Sequence, residues 1–136
     1  MQLPGKIKLV VQTPSVMMHN TLLAMRRTTL EQLQRDGKTT FQVARPFDAT
    51  IDFYKELADN IVLVAQPIPM LILHGEQDDF IRIEDIQNFR RVNENSKLVI
   101  IPGTSHRFLE DGAWDMVLDL TRDWFSFEQV LLCDWE

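Results

Sequence analysis

The segment PMLILHGEQD, residues 69–78, contains an unbroken apolar run that is followed at once by a glycine and by acidic side chains. The run is too short for a stable helix, and continuous apolar runs of this length are typical of strands buried on both faces of a parallel sheet. A second such run, KLVII at residues 97–101, ends at Pro102 and Gly103. The two runs therefore predict two buried strands.

A helical pattern follows each of these strands. Ile83, Ile86 and Phe89 recur at helical spacing within residues 83–93, and a second amphipathic pattern covers about residues 113–127. Strand, helix, strand and helix in this order indicate parallel crossover connections. The sequence predicts an α/β fold of about three parallel strands flanked by helices.

The first half of the chain is less regular. Residues 7–11, IKLVV, predict the third strand, and residues 18–35 predict one long helix. Residues 38–46 fit a loop or a short extended segment, and a further helix is expected over residues 48–59. Residues 61–64, IVLV, fit either a strand or the tail of a helix, and the pattern does not choose between them.

Composition limits the classes of function. The 136 residues, 45% hydrophobic and 25% charged, indicate one globular domain over residues 1–136. A net charge of -6 with scattered basic residues argues against nucleic acid and anionic membranes as partners. The single cysteine, Cys133, excludes an internal disulfide, and no run approaches the roughly 18–20 apolar residues of a membrane span. We therefore expect a cytoplasmic protein with no cofactor and no metal.

Side chains capable of acid–base chemistry follow both buried strands. Asp78 lies just after the first strand and His106 just after the second. The carboxyl ends of parallel strands meet at one edge of a sheet, and neighbouring strands are only about 4.8 Å apart, so these two side chains can meet. An aspartate in contact with a histidine orients the imidazole and stabilises its charged form, as a general base requires.

Residues 68–78 and 98–108 together resemble the α/β-hydrolases, in their serine esterase, lipase and acyl-peptidase branch. The resemblance implies that Asp78, three places after Gly75, is the acid of a catalytic triad. It implies that His106 is the base.

The same resemblance implies that the chain corresponds to the C-terminal half of such a hydrolase. Residues 6–15 are similar to the strand that follows the nucleophile-bearing helix, and residues 17–60 to a cap-like helical insertion. Residues 67–112 would then hold the acid and base loops.

The nucleophile of the family is missing from this pattern. In these hydrolases the serine lies in a Gly-x-Ser-x-Gly turn between a strand and a helix, and no such segment occurs here. The serines are Ser15, Ser96, Ser105 and Ser126, and none lies in that context. Cys133 is far from both loops in sequence. The chain is therefore expected to lack a nucleophile and oxyanion donors, and to be inactive as a monomer.

Several residues have competing interpretations. Asp79 is an alternative to Asp78 as the acid, and the spacing from Gly75 favours Asp78. His74 is expected to be a packed histidine that is bonded to the backbone. Phe108 is expected to be a buried anchor of the base loop.

Three functional hypotheses remain open. The first is the part of an acyl (carboxylic ester) hydrolase that supplies Asp78 and His106, with a small acyl or ester substrate. The second is a non-catalytic remnant that acts as a binding or assembly module, or half of a split enzyme. The third is a hydrolase of this fold with another nucleophile, such as an aspartate. The strand at residues 7–11 would have an unpaired edge, which favours a homodimer or a complementary N-terminal half as partner.

Overall fold

The computed structural model describes residues 8–126 of the chain. Its elements in chain order are β1 (Leu9–Gln12), α1 (Met18–Arg26), α2 (Leu30–Asp36), β2 (Lys38–Phe41), β3 (Phe47–Thr50), α3 (Ile51–Asp59), β4 (Met70–Gly75), α4 (Ile83–Val92), β5 (Ser96–Ile101) and α5 (Ala113–Ser126).

The main sheet has three parallel strands in the order β1-β4-β5. The central strand, β4, is buried along its whole length, as its continuous apolar sequence predicts. Leu73 pairs with Gln12 on one side and with Val99 on the other. All three strands therefore end at the same edge, and the acid and base loops leave from this edge.

Helices cover both faces of the sheet. Successive side chains of a strand point to opposite faces, so β4 contributes to two separate apolar clusters. The cluster under α5 contains Leu71, Leu73, Ile101, Phe108, Ala113, Val117 and Trp124. The cluster under α4 contains Val16, Met70, Ile72, Ile81, Ile86 and Phe89. The predicted α/β class, a parallel sheet flanked by helices, is confirmed.

Between β1 and β4 the chain forms a smaller unit, residues 18–59, with its own apolar cluster around Leu22, Leu33 and Ala49. The single helix predicted over residues 18–35 is wrong, because two helices occupy this segment. Arg27 has a left-handed backbone (φ 48°) that ends α1. Thr29 then starts α2 with a capping box, in which its side chain accepts from the Gln32 amide and the Gln32 side chain accepts from the Thr29 amide.

A two-stranded antiparallel sheet completes this unit. β2 and β3 pair from Lys38 with Thr50 to Phe41 with Phe47, and the Phe41 and Phe47 rings stack 4.7 Å apart. The extended alternative for residues 38–46 is therefore confirmed for β2. The helix expected from residue 48 begins at residue 51, because Thr50 caps it by accepting from the Phe53 amide.

Residues 61–64 are neither strand nor helix, so both sequence alternatives were wrong. The Val62 amide donates to the Val16 carbonyl, and Leu63 packs on the cluster under α4. Leu63 is the residue of this run that packs, whereas the side chains of Ile61, Val62 and Val64 are exposed. Within residues 8–126, no helix has both the length and the apolar character needed to cross a membrane.

Candidate active site

Asp78 lies in the loop after β4, and its carboxylate is completely buried. Its Oδ1 accepts hydrogen bonds from the backbone amides of Phe80 and Ile81, both at 2.9 Å. Backbone donors of this kind stabilise the ionised form of a carboxylate and fix its orientation. One carboxylate oxygen is thus occupied by the loop itself, and the other is left for a side-chain partner.

His106 supplies that partner from the loop after β5. Its Nδ1 lies 2.9 Å from Oδ2 of Asp78, within hydrogen-bond distance, and 30% of its side chain is exposed. When Nδ1 donates to the carboxylate, Nε2 is left as the nitrogen that can accept or release a proton. The structure therefore brings together the two side chains that the sequence singled out, 28 residues apart along the chain.

The two loops are held together through their backbones. Gly75 ends β4, and a Cβ atom placed there would clash with the Thr104 carbonyl oxygen and would lie 2.6 Å from that of Ser105. The Gln77 amide donates to the same Thr104 oxygen at 2.9 Å. Only a residue without a side chain permits this approach, which sets the distance between Asp78 and His106.

Two glutamates hold the base loop. Oε2 of Glu76 accepts from the Gly103 amide at 2.7 Å, and Oε1 of Glu110 accepts from the Ser105 amide at 3.0 Å. Hydrogen bonding from Ser105 keeps the pKa of Glu110 below its ordinary value. Neither contact was predicted from the sequence, although Glu76 lies within the segment that carries the resemblance.

Aromatic rings surround the base. The Phe80 ring meets the His106 ring edge to face, with 5.3 Å between centroids. Phe108 is 2% exposed and packs edge to face on Trp114, so it lies in the buried position expected of a loop anchor. Its φ of 53° is unusual for a phenylalanine, so burial holds the loop in a strained backbone conformation.

His74 lies next to Asp78, a contact that was not predicted from the sequence. It is buried, as expected, but its Nδ1 has no hydrogen-bond partner, so the predicted backbone bond is not made by this nitrogen. Nδ1 lies 3.7 Å from Oδ2 of Asp78. Burial lowers the pKa of His74, and the nearby charge of Asp78 offsets only part of this effect.

The remaining candidates do not join the pair. Asp79 is exposed, which fits the preference for Asp78. In residues 8–126, no serine hydroxyl is hydrogen-bonded to His106: that of Ser15 pairs with Thr21, and that of Ser126 donates to a backbone carbonyl. Cys133 lies outside the described residues. No group of three or more histidine, cysteine, aspartate or glutamate side chains in residues 8–126 could hold a metal ion.

Comparison with known proteins identifies the fold. No protein-family model and no curated protein matches the chain. Among solved structures, α/β hydrolase domain-containing protein 10 from mouse matches with a TM-score of 0.56 and 16% identity, over 88% of this chain and 52% of its own. Est1E from Butyrivibrio proteoclasticus matches with a TM-score of 0.58 and 19% identity, over 89% and 52%. A protein from Agrobacterium vitis S4 matches with a TM-score of 0.62 and 15% identity, over 88% and 50%.

The chain therefore has an α/β-hydrolase fold, as its resemblance to the family indicated. It spans about half the length of the solved structures that it matches. At these identities the likeness concerns the fold. The catalytic roles of Asp78 and His106 remain predictions.

Proposed function

We propose that this chain is the part of a serine-dependent acyl hydrolase that supplies the acid and the base of the triad. The observation that carries the proposal is the 2.9 Å contact between Nδ1 of His106 and the buried carboxylate of Asp78. The hydrolase fold supports it, because the pair lies in loops that follow two adjacent parallel strands of such a fold. The substrate class is a carboxylic ester or a related acyl bond.

The proposed chemistry assigns one role to each side chain. Nε2 of His106 takes the proton of a serine hydroxyl while its oxygen attacks the ester carbonyl, and the same proton then passes to the leaving alkoxide. Asp78 stays ionised and stabilises the imidazolium that forms in between. A water molecule, activated by His106 in the same way, releases the acid and restores the serine.

The serine has to come from outside this sequence, which contains no Gly-x-Ser-x-Gly segment. We propose a complementary polypeptide that carries the rest of the sheet, the serine and the oxyanion donors. Two exposed features support such a partner. Among residues 8–126, β1 is hydrogen-bonded to a strand on one side only. On α5, the exposed side chains of Trp114, Leu118 and Phe125 recur at helical spacing and form one stripe.

The test is hydrolysis of short p-nitrophenyl esters. The coding sequence directly upstream of Met1 is read for a Gly-x-Ser-x-Gly segment. The polypeptide that this upstream sequence encodes is then co-expressed with the chain. We expect hydrolysis by the pair and not by the chain alone. The His106→Ala variant should lose at least about 100-fold of the rate, because a general base contributes at least this factor.

A matched control is Asp79→Asn, which changes the neighbouring exposed carboxylate and should leave the rate unchanged. Activity that survives His106→Ala would contradict the proposed mechanism. Absence of a serine-bearing partner, together with no hydrolysis, would favour the second candidate.

The second candidate is a binding or assembly module without catalysis. The missing nucleophile segment is the observation that favours it. It predicts no labelling by fluorophosphonates in any complex of the chain, together with specific association through β1 or the α5 stripe.

A further inference from the structure

His74 is a buried ionisable side chain to which the proposed reaction gives no role. It lies one residue before the end of β4, with 2% of its side chain exposed. Its Nδ1 is shielded from solvent and has no hydrogen-bond partner, although a polar atom in this position is costly to leave unpaired. The nearest acidic atom is Oδ2 of Asp78, at 3.7 Å.

The Nδ1 atoms of two imidazoles, His74 and His106, therefore lie close to the same oxygen, Oδ2 of Asp78. Oδ1 of Asp78 is taken by the amides of Phe80 and Ile81, and Oδ2 accepts from His106 at 2.9 Å while also facing Nδ1 of His74. The longer contact exceeds hydrogen-bond distance, so it acts through charge and dipole. In a buried site such interactions are stronger than they would be in water.

The position of the proton on His74 decides whether its Nδ1 attracts or repels Oδ2 of Asp78. With the proton on Nε2, the lone pair of Nδ1 would face a carboxylate oxygen and repel it. With the proton on Nδ1, the positive hydrogen would take the place of that lone pair and would be attracted by the carboxylate oxygen 3.7 Å from the nitrogen. Nδ1 has no other partner in the described residues that could compensate the repulsion, so the carboxylate selects the Nδ1–H form.

We propose that His74, neutral and protonated on Nδ1, is a positioning residue that holds Oδ2 of Asp78 in place for His106. This inference rests on the proposed hydrolase function, in which Asp78 and His106 are the acid and the base. In this role the imidazole of His74 orients the Asp78 carboxylate independently of the imidazole of His106. The carboxylate thus has a second contact that holds its orientation besides the one to the more exposed ring of His106.

The first test reads the tautomer directly in the unmodified chain. Long-range proton–nitrogen correlation spectra of the ¹⁵N-histidine-labelled protein distinguish protonated from unprotonated ring nitrogens. The chain has three histidines, so substitution of His19 assigns one and variants of His74 assign the second. We expect His74 to be protonated on Nδ1 alone at about pH 7.5, just above the ordinary histidine range. Protonation on Nε2, alone or together with Nδ1, would overturn the proposal.

The second test removes the donor. His74→Asn keeps an N–H close to the position of Nδ1, and His74→Leu fills similar space without one. The readout is the downfield Nδ1–H resonance of His106, which reports its hydrogen bond to Asp78. We expect the resonance to persist in His74→Asn and to be lost through faster exchange in folded His74→Leu. A folded His74→Leu protein with an unchanged resonance would overturn the proposal, and if this variant does not fold, the tautomer measurement decides.

His19→Leu is the matched control, because His19 also has a buried Nδ1 without a partner but packs on Tyr54 in the 18–59 unit. It should leave the His106 resonance unchanged. The two proposals fail separately. Ester hydrolysis with an Nε2–H form of His74 would reject only the role of His74. An Nδ1–H form without hydrolysis in any complex would reject only the hydrolase function.

Discussion

Asp78 is the residue on which the candidate site depends, and the sequence already singles it out as the candidate acid. Its distance from Gly75 distinguishes it from Asp79, and the structure buries Asp78 and exposes Asp79. The contact with His74 could not be predicted, because it depends on the side-chain rotamers of two residues four positions apart. A histidine that ends a buried strand gives no signal in sequence that separates packing from a polar contact.

Asp78→Ala should destabilise the fold. The substitution leaves the amides of Phe80 and Ile81 and the Nδ1 of His106 without their acceptor. A donor left unpaired in the interior costs about 1–3 kcal/mol, and these part-buried donors should each cost less than that. Urea unfolding measures the loss, with Asp79→Ala as the control for removal of an adjacent exposed carboxylate. Equal unfolding midpoints for the two variants would contradict the buried network.

The pKa shift of His74 predicts a pH dependence of stability. Burial lowers the pKa of His74 in the folded protein, so the unfolded chain, with a pKa of about 6.5, binds this proton more tightly. The contribution of neutral His74 to the free energy of unfolding is therefore fully present above about pH 6.5. It is lost as the pH falls through that value toward the pKa of His74 in the folded protein. The free energy of unfolding, measured at several pH values, should fall less steeply below about pH 6.5 in His74→Leu than in the original chain. If the free energy of unfolding falls equally steeply with pH in both proteins, the lowered pKa of His74 would be contradicted.

Among the helices and strands, the second half of the chain was predicted well. β4, β5, α4 and α5 follow the apolar periodicity closely, because each buries a continuous or one-sided apolar surface against the sheet. The first half was predicted less well, because local backbone features override periodicity there. Arg27 divides one apparent helix, and the β2–β3 hairpin is too short for an alternating pattern to stand out.

Gly75→Ala tests how the acid and base loops are joined. The added Cβ would meet the backbone oxygens of Thr104 and Ser105, which cannot move aside as a flexible side chain can. Overpacking of this kind costs about 1–3 kcal/mol, and the two loops should separate. We expect a lower urea midpoint and weakening of the His106 Nδ1–H resonance, whereas Gln77→Ala, in the same loop and exposed, should change neither. A Gly75→Ala protein that matches the original in both measurements would show that the loops do not need this approach.

As a whole molecule, the chain has the fold of a hydrolase but about half the length of the hydrolases it matches. The segments at residues 68–78 and 98–108 together were enough to indicate the fold. No partner could be named from the sequence, because an exposed strand edge specifies pairing but not its occupant. The structure adds that β1 has one hydrogen-bonded neighbour among residues 8–126.

We expect the purified chain to associate with its own copies or with the proposed complementary polypeptide. Light scattering after size-exclusion chromatography at micromolar concentration, of the chain alone and of the chain mixed with that polypeptide, should give a mass above that of a monomer in at least one of the two samples. Leu9→Lys places a charge on the β1 edge and should reduce the association, since charged edge strands resist pairing. Val43→Lys, on an exposed side chain outside the main sheet, is the control. A chain that stays monomeric and does not bind the serine-bearing polypeptide would count against both proposed partners, a second copy of the chain and that polypeptide.

The most direct measurement is fluorophosphonate labelling of the purified complex, followed by peptide mass spectrometry. If Asp78 and His106 activate a serine of a complementary polypeptide, the label should lie on the Gly-x-Ser-x-Gly serine of that partner. The labelling rate should fall at least about 100-fold in His106→Ala and remain unchanged in Asp79→Asn. A partner serine that is labelled equally fast without the imidazole of His106 would contradict the proposed acid–base pair.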